Sequence, residues 1–165
     1  PTARPKPDVA ALLADAVPVG EGLAVLSPED RVVHAVAHLF ADGDLAGGLR
    51  NLWDIDRLLR EAGEDPGFRA RLGERARRHR LGKPLARALR LADRLYGTPV
   101  DRDLAGPADW ADGLYLRRLL ARDDWGRATR PVTRLAFYVR SHWLRMPPLM
   151  LARHLWIKLR RQASR

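Results

Sequence analysis

Two histidines four residues apart are the first side chains in this sequence with a spacing that suits chemistry. His34 and His38 lie in a segment of helical periodicity, so both fall on one face of a helix. In zinc proteases a pair at this spacing binds the metal, and a glutamate directly after the first histidine acts as the base. Ala35 occupies that position here. Because two ligands do not complete a zinc site, we predict no metal site in this chain.

The histidine face has three interpretations. It is an ordinary polar surface, a metal site completed by an aspartate of the next helix, or a surface that meets a ligand or another domain. At about 100° per residue, an aliphatic arc lies on the other side of the same helix. The arc consists of Val32, Val33, Val36, Leu39 and Phe40. Because this arc supplies the contact with the core, the histidine face is available for binding.

Two aspartates one residue apart, Asp54 and Asp56, have the spacing of a magnesium-binding carboxylate pair. That spacing works on a strand, where residues i and i+2 point the same way. The surrounding period is helical, so these side chains point about 200° apart and do not share an ion. Asp54 falls on the polar side of the helix. Asp56 falls inside the apolar arc, where a carboxylate needs a partner, and we interpret it as structural.

The two helices that carry these residues have recognisable ends. Ser27 is a candidate cap, Pro28 suits the first helical position, and Asp30 lies where a capping box has a carboxylate. Glycines within residues 41–48 break the chain, and Gly63 is a stop signal for the second helix. The linker is short, so we expect an antiparallel or steeply crossed pair. Its buried contacts should include Val36, Phe40, Leu52 and Leu59.

The rest of the chain reads mainly as helix. Further helices are predicted over about 65–80 and 84–97, through Trp110 and Leu120, and from Pro131 and Pro148. Strand signals are nearly absent outside residues 23–26. We therefore predict an all-α fold, a bundle of about six to eight helices with short loops and one short N-terminal strand. Residues 1–126 form the predicted helical domain, and residues 127–165 form a basic C-terminal helical extension packed on it.

Composition excludes several classes of protein. The 165 residues contain no cysteine, so there is no disulfide framework, thiolate nucleophile or zinc thiolate. No apolar run reaches the roughly 18 residues of a spanning helix, and no signal peptide is visible. We expect a cytoplasmic location, with a membrane-peripheral one as the alternative. The chain begins with Pro1, and we expect it to be part of a longer protein.

The net charge of +10 is confined to the last quarter of the chain. Residues 125–165 contain ten basic and no acidic side chains, whereas the remainder has twenty of each. Within this quarter we predict a core stripe formed by Val132, Leu135, Ala136, Val139, Trp143 and Met146. In the final helix Arg153, Lys158, Arg160 and Arg161 are candidate contacts to phosphate or an anionic surface. The alternatives are nucleic acid, an anionic membrane, or a packed helix with solvated arginines.

Two motifs carry a resemblance to a known family. The first is L-S-P-E-D-x-x-x-H-x-x-x-H over 26–38, and the second is L-R-x-L-W-D-x-x-x-L-L over 49–59. They resemble the C-terminal half of a family of uncharacterised bacterial nucleotidyltransferases, relatives of the DNA-polymerase-beta-like superfamily. In such families a Gly-Ser turn and a strand-borne aspartate pair hold magnesium and the nucleoside triphosphate. This sequence has neither feature.

The resemblance implies that the catalytic half precedes Pro1 and that this chain corresponds to the helical half that closes over the active site. Magnesium is then held by that missing half, and no cofactor is expected in this chain. The implied partners are the catalytic half, a nucleotide and an acceptor of unknown identity. The family motifs carry over to His34, His38, Arg50 and Asp54 as candidate substrate-binding residues. Helical periodicity singles out Asp56 instead, and we assign function to Asp54 and structure to Asp56.

Overall fold

The computed structural model describes residues 8–163, apart from the side chains of eight residues in the last helix. Those eight are Pro148, Ala152, Leu155, Lys158, Leu159, Arg161, Gln162 and Ala163. The described part contains nine helices: α1 (Val9–Ala14), α2 (Pro28–Ala41), α3 (Gly48–Ala62), α4 (Phe68–Arg78), α5 (Gly82–Tyr96), α6 (Arg102–Ala105), α7 (Asp112–Leu119), α8 (Pro131–Trp143) and α9 (Pro148–Ala163). The prediction of a mainly helical bundle is confirmed. None of the helices described is long and apolar enough to cross a bilayer.

A small antiparallel sheet precedes α2. Strand β1 (Val17–Gly20) pairs with β2 (Leu23–Val25), with Val17 opposite Val25. The second strand matches the predicted segment, but β1 was not predicted as a strand. Glycines 20 and 22 both have positive φ, which lets the chain reverse between the strands. Every residue of both strands is exposed.

The N-terminus of α2 is capped as predicted, but Asp30 has a different role. The Ser27 hydroxyl accepts the backbone N–H of Asp30 at 3.2 Å, and Pro28 occupies the first helical position. The Asp30 carboxylate does not close a capping box. It is fully buried and accepts two hydrogen bonds from Arg75 of α4, one of them from Nε at 2.8 Å. The cap and this ion pair together determine where α2 begins and how α4 packs against it.

The guanidinium of Arg75 connects three elements. It also donates to the carboxylate of Asp15 at 2.5 Å and to the backbone oxygen of Ala11 at 3.3 Å. The hydrogen bond with Asp30 raises the pKa of Arg75, so the guanidinium stays charged. One turn earlier on α4, Nε of Arg71 donates to the buried carboxylate of Glu29 at 2.7 Å. Two arginines of α4 therefore bind two consecutive carboxylates of α2.

Helices α2 and α3 form the antiparallel pair that the short linker predicted. Arg31, near the start of α2, contacts Glu61, near the end of α3, at 3.4 Å. Val36 and Leu52 are completely buried and Leu59 nearly so. Phe40 is half-buried and packs edge-to-face on Tyr115 of α7, with ring centroids 5.9 Å apart. The predicted core contacts of this pair are therefore confirmed, Phe40 in part.

Another buried carboxylate, that of Asp112, holds helix α7 on α5. Asp112 accepts hydrogen bonds from Nε of Arg90 at 2.6 Å and from Nε of Arg87 at 3.1 Å. Burial raises the pKa of Asp112, but the bonds from Arg90 and Arg87 outweigh it and the net shift is downward. Arg87 also lies over the ring of Tyr115, 4.4 Å from the centroid. The α5–α7 contact therefore combines charge pairing with aromatic packing.

Helix α8 packs against the α2–α3 linker at a glycine. Gly43 has a φ of +75°, and a Cβ there would lie 3.2 Å from the Cα of Ser141 and 3.1 Å from a methyl of Leu144. Arg140 donates to the backbone oxygen of Gly43 at 2.7 Å, and Arg145 pairs with Asp42 at 2.5 Å. Only glycine combines this conformation with such a close approach. The division at residue 126 stays a prediction.

The predicted core stripe of α8 is wrong. Val132, Leu135, Ala136 and Trp143 are exposed, while Phe137 and Ser141 are the buried residues of this helix. Phe137 meets Tyr115 edge-to-face at 5.2 Å. The apolar stripe is present, but the helix is rotated so that one aromatic side chain and a small hydroxyl face the body. Periodicity locates an apolar stripe without indicating whether anything in the chain covers it.

Truncating Leu52 tests the α2–α3 core. We expect Leu52→Ala to lower the free energy of unfolding by about 2–5 kcal/mol, because the side chain is fully buried and its removal leaves a cavity. Chemical denaturation of both proteins gives the difference. The control is Leu114→Ala, at a leucine with 46% of its surface exposed. Equal losses in both variants would contradict the packing described here.

Replacing Arg75 tests the buried ion pair. Arg75→Ala leaves the Asp30 carboxylate buried without its partner, and we expect a loss of about 3–5 kcal/mol in the free energy of unfolding. Arg78→Ala is the matched control on the same helix, since its pair with Asp8 is half-exposed and such surface pairs contribute little to stability. Urea titrations measure both. A loss for Arg75→Ala no larger than that for Arg78→Ala would contradict a central role for this pair.

Candidate functional site

Asp56 is occupied by contacts within the fold. Its carboxylate is buried and accepts hydrogen bonds from Nε of Arg60 at 2.8 Å and from the Thr98 hydroxyl at 2.7 Å. Arg60 extends the contact to the backbone oxygens of Tyr96 and Gly97 at 3.0 and 3.2 Å. The partner that a carboxylate in the apolar arc requires is therefore present. Asp56 joins α3 to the end of α5, which fits the structural role assigned to it.

The four candidate substrate-binding residues lie away from the core. His34, His38 and Arg50 are exposed, and Asp54 is half-buried. We call these four residues the outer face of the α2–α3 pair. In α2 the buried residues are on the opposite side from both histidines, and in α3 Leu52 and Ile55 point inward beside Asp54. None of the four side chains is needed to fill the core.

The Arg31–Glu61 contact aligns the two halves of this outer face. His38 lies seven residues after Arg31, and Asp54 lies seven residues before Glu61. Seven residues are two helical turns, about 10.5 Å along each axis. Because the helices are antiparallel, His38 and Asp54 lie at about the same height along the pair, and Arg50 lies one turn before Asp54 in α3. Helical geometry and this single contact therefore bring residues of both sequence motifs to one surface.

The described residues do not provide a magnesium or zinc site. No group of three or more histidine or acidic side chains among them is arranged to hold a metal ion. Asp54 and Asp56 diverge, and the carboxylate of Asp56 is already bonded to Arg60 and Thr98. The residues of this chain that the structure describes therefore do not fit the magnesium ion that the family resemblance implies.

The basic candidates of α9 divide into two groups. Arg153 and Arg160 are exposed, and the guanidinium of Arg160 lies over the Trp156 ring at 4.8 Å. The side chains of Lys158 and Arg161 lie outside the described residues. An assignment of either arginine to phosphate or to an anionic surface stays a prediction.

The buried ion pairs of α2 are the feature that the sequence analysis missed. Glu29 and Asp30 belong to the first family motif, yet both carboxylates are buried against arginines of α4. The four-residue spacing of Arg71 and Arg75, next to the apolar residues of the same helix, is a sequence signal for such pairs. The signal is weak, because exposed arginines are common at such positions. Part of the motif therefore maintains the fold.

This part of the chain is a helical unit in which α2 and α4 are joined by buried ion pairs and the polar residues of the outer face lie outside the core. Residues 1–97 match the model of a family described as uncharacterised nucleotidyltransferase, and the chain belongs to that family. The match ends directly after α5, so it contains the outer face and both buried carboxylates of α2. Neither the curated proteins nor the solved structures give a match to the chain. The relation to the DNA-polymerase-beta-like superfamily and the bacterial origin stay predictions.

Replacing the histidines of the outer face tests whether they contribute to the fold. We expect His34→Ala and His38→Ala each to change the free energy of unfolding by less than about 0.5 kcal/mol, since both side chains are exposed. Thermal unfolding measures the effect. His79→Ala is the control. That histidine is buried and accepts the Asp8 N–H at 3.3 Å, so its removal should lower the free energy of unfolding. A large loss in both outer-face variants would show that they are core histidines.

Proposed function

We propose that this chain is the helical portion of a nucleotidyltransferase-like protein and that its outer face helps to close the site for the nucleotide and the acceptor. The carboxylates that hold magnesium come from a catalytic half outside this chain. The observation that carries the proposal is the position of His34, His38, Arg50 and Asp54. All four lie outside the core, three of them exposed and Asp54 half-buried, within the segment that matches the family.

The chemistry of the outer face suits a phosphorylated ligand. Arg50 supplies a permanently charged donor for phosphate oxygens. His34 and His38 add imidazole donors or acceptors, and Asp54 supplies a carboxylate that can accept a hydroxyl or amino group of the acceptor. The described structure gives Arg50 no ion pair, so its charge is available. These roles concern binding and orientation, and no chemical step is assigned to them.

Helix α1 and strands β1 and β2, which we call the N-terminal layer, expose apolar side chains that support docking of another part of the protein. All seven residues of β1 and β2 are exposed, among them Val17, Val19, Leu23 and Val25. An isolated two-stranded hairpin is marginally stable in water, and apolar side chains on such a hairpin gain stability when they are covered. Leu13 of α1 adds to this apolar surface with 71% exposure. A catalytic half that docks here would cover the apolar side chains of α1, β1 and β2, in the N-terminal part of the matched segment.

The first test uses the isolated 165-residue chain. We expect it to transfer no nucleotide from any nucleoside triphosphate in the presence of magnesium, because the described residues lack the carboxylate pair that such chemistry requires. Release of pyrophosphate and labelling of an acceptor are the measurements. Turnover by the isolated chain that Asp54→Ala abolishes would refute the proposal.

The second test uses the complete protein with its catalytic half. We expect Arg50→Ala to lower kcat/KM about tenfold or more, as for loss of a hydrogen bond to a charged group. Thermal stability should stay unchanged, because the side chain is exposed. Arg94→Ala, at an exposed arginine of α5, is the matched control and should retain full activity. Equal activity of the two variants would remove the outer face from the substrate site.

A further inference from the structure

Helices α8 and α9 expose more apolar surface than a packed terminal extension would. Val132 and Leu135 of α8 are 79% and 59% exposed. Further apolar side chains exposed on the two helices are Trp143, Leu149, Met150, Trp156 and Ile157. Single exposed leucines are ordinary, but this concentration on two successive helices is typical of a surface that meets an apolar phase or a partner.

The contacts of α8 explain why its apolar stripe stays uncovered. Phe137 and Ser141 face the body, where Phe137 contacts Tyr115. A different side of α8 faces α9: the Tyr138 hydroxyl bonds to Nε2 of His154 at 2.9 Å, and the rings of His142 and His154 stack at 5.0 Å. At about 100° per residue, Val132 and Trp143 lie on a third side of the helix, and Leu135 lies between that side and the one that faces α9. Neither the body nor α9 covers that side in the described structure.

The charge of this region determines what kind of surface it fits. Residues 125–165 contain ten basic and no acidic side chains. Arg145 is paired with Asp42, but Arg134 and Arg153 are exposed and form no ion pair with the acidic residues that the structure describes. A partner that covers the apolar side chains must therefore also offer negative charge.

We propose that α8 and α9 bind the surface of an anionic lipid bilayer. The exposed aliphatic and tryptophan side chains would enter the boundary between headgroups and acyl chains, while Arg153 contacts the acidic headgroups. Nucleic acid fits less well, because phosphates would satisfy the arginines and leave Val132, Leu135 and Leu149 in water. The cation–π contact of Arg160 with Trp156 holds a charge beside an amphipathic ring, which suits the interface of a bilayer.

The experiment is flotation of the full 165-residue chain with vesicles of phosphatidylcholine alone or of phosphatidylcholine with phosphatidylserine. We expect binding to the anionic vesicles, and weak or no binding to the neutral ones. The double variant Trp143→Ala, Trp156→Ala should bind anionic vesicles about tenfold more weakly, because it removes two of the largest exposed apolar side chains. Trp110→Ala is the matched control, since Trp110 is 85% exposed in the neutral body and should not affect binding.

Charge reversal separates the lipid from other partners. Arg153→Glu should weaken binding to anionic vesicles about fivefold or more, the factor given by about 1 kcal/mol per basic residue. Arg134→Glu is the matched control, because Arg134 lies on the side of α8 opposite Val132 and Trp143 and should affect binding less. Circular dichroism of each variant confirms that it folds. Absence of vesicle binding by the folded wild-type chain overturns the proposal. So does salt-dependent binding of a DNA or RNA oligonucleotide that Arg153→Glu loses, if the chain does not bind vesicles.

Discussion

The pairing of Asp30 with Arg75 is the interaction on which the rest of this structure depends. A fully buried carboxylate is tolerated only where hydrogen bonds replace its water, and Arg75 supplies two of them. Because Arg75 also bonds to α1 and to Asp15, one guanidinium determines how α4 and the N-terminal layer lie against the start of α2. The neighbouring pair of Glu29 with Arg71 repeats the arrangement one turn away. With α4 held in this way, α2 presents its aliphatic arc to α3.

The contacts that stabilise the fold and the proposed binding residues therefore lie on different sides of the same two helices. The inner sides carry the aliphatic contacts and the buried carboxylates, including Asp56 with Arg60 and Thr98. The outer face carries His34, His38, Arg50 and Asp54, which the core does not use. Because these side chains lie outside the core, we expect substitutions on the outer face to leave the fold intact. Membership of a nucleotidyltransferase family gives that surface its most direct interpretation.

The C-terminal region differs from the body in its packing and in its charge. A few specific contacts attach α8, chiefly Phe137 against Tyr115 and the close approach of Ser141 to Gly43. The body of the chain is balanced in charge, whereas the residues from 125 onward contain ten basic and no acidic side chains. The matched family segment ends at residue 97, before this region begins. Two surfaces of distinct chemistry therefore occur in one chain: a polar one on α2–α3, and a basic, apolar one on α8–α9.

The sequence alone determined the helical class, the cap at Ser27, the limits of α2 and α3, and the orientation of the histidine face, because each follows from local periodicity and end signals. It also identified Asp56 as a carboxylate in need of a partner, but not which partner, since Thr98 lies 42 residues away. Only the tertiary structure paired Asp30 with Arg75 and turned the stripe of α8 toward solvent. Both outcomes depend on how distant helices pack, which local sequence does not encode.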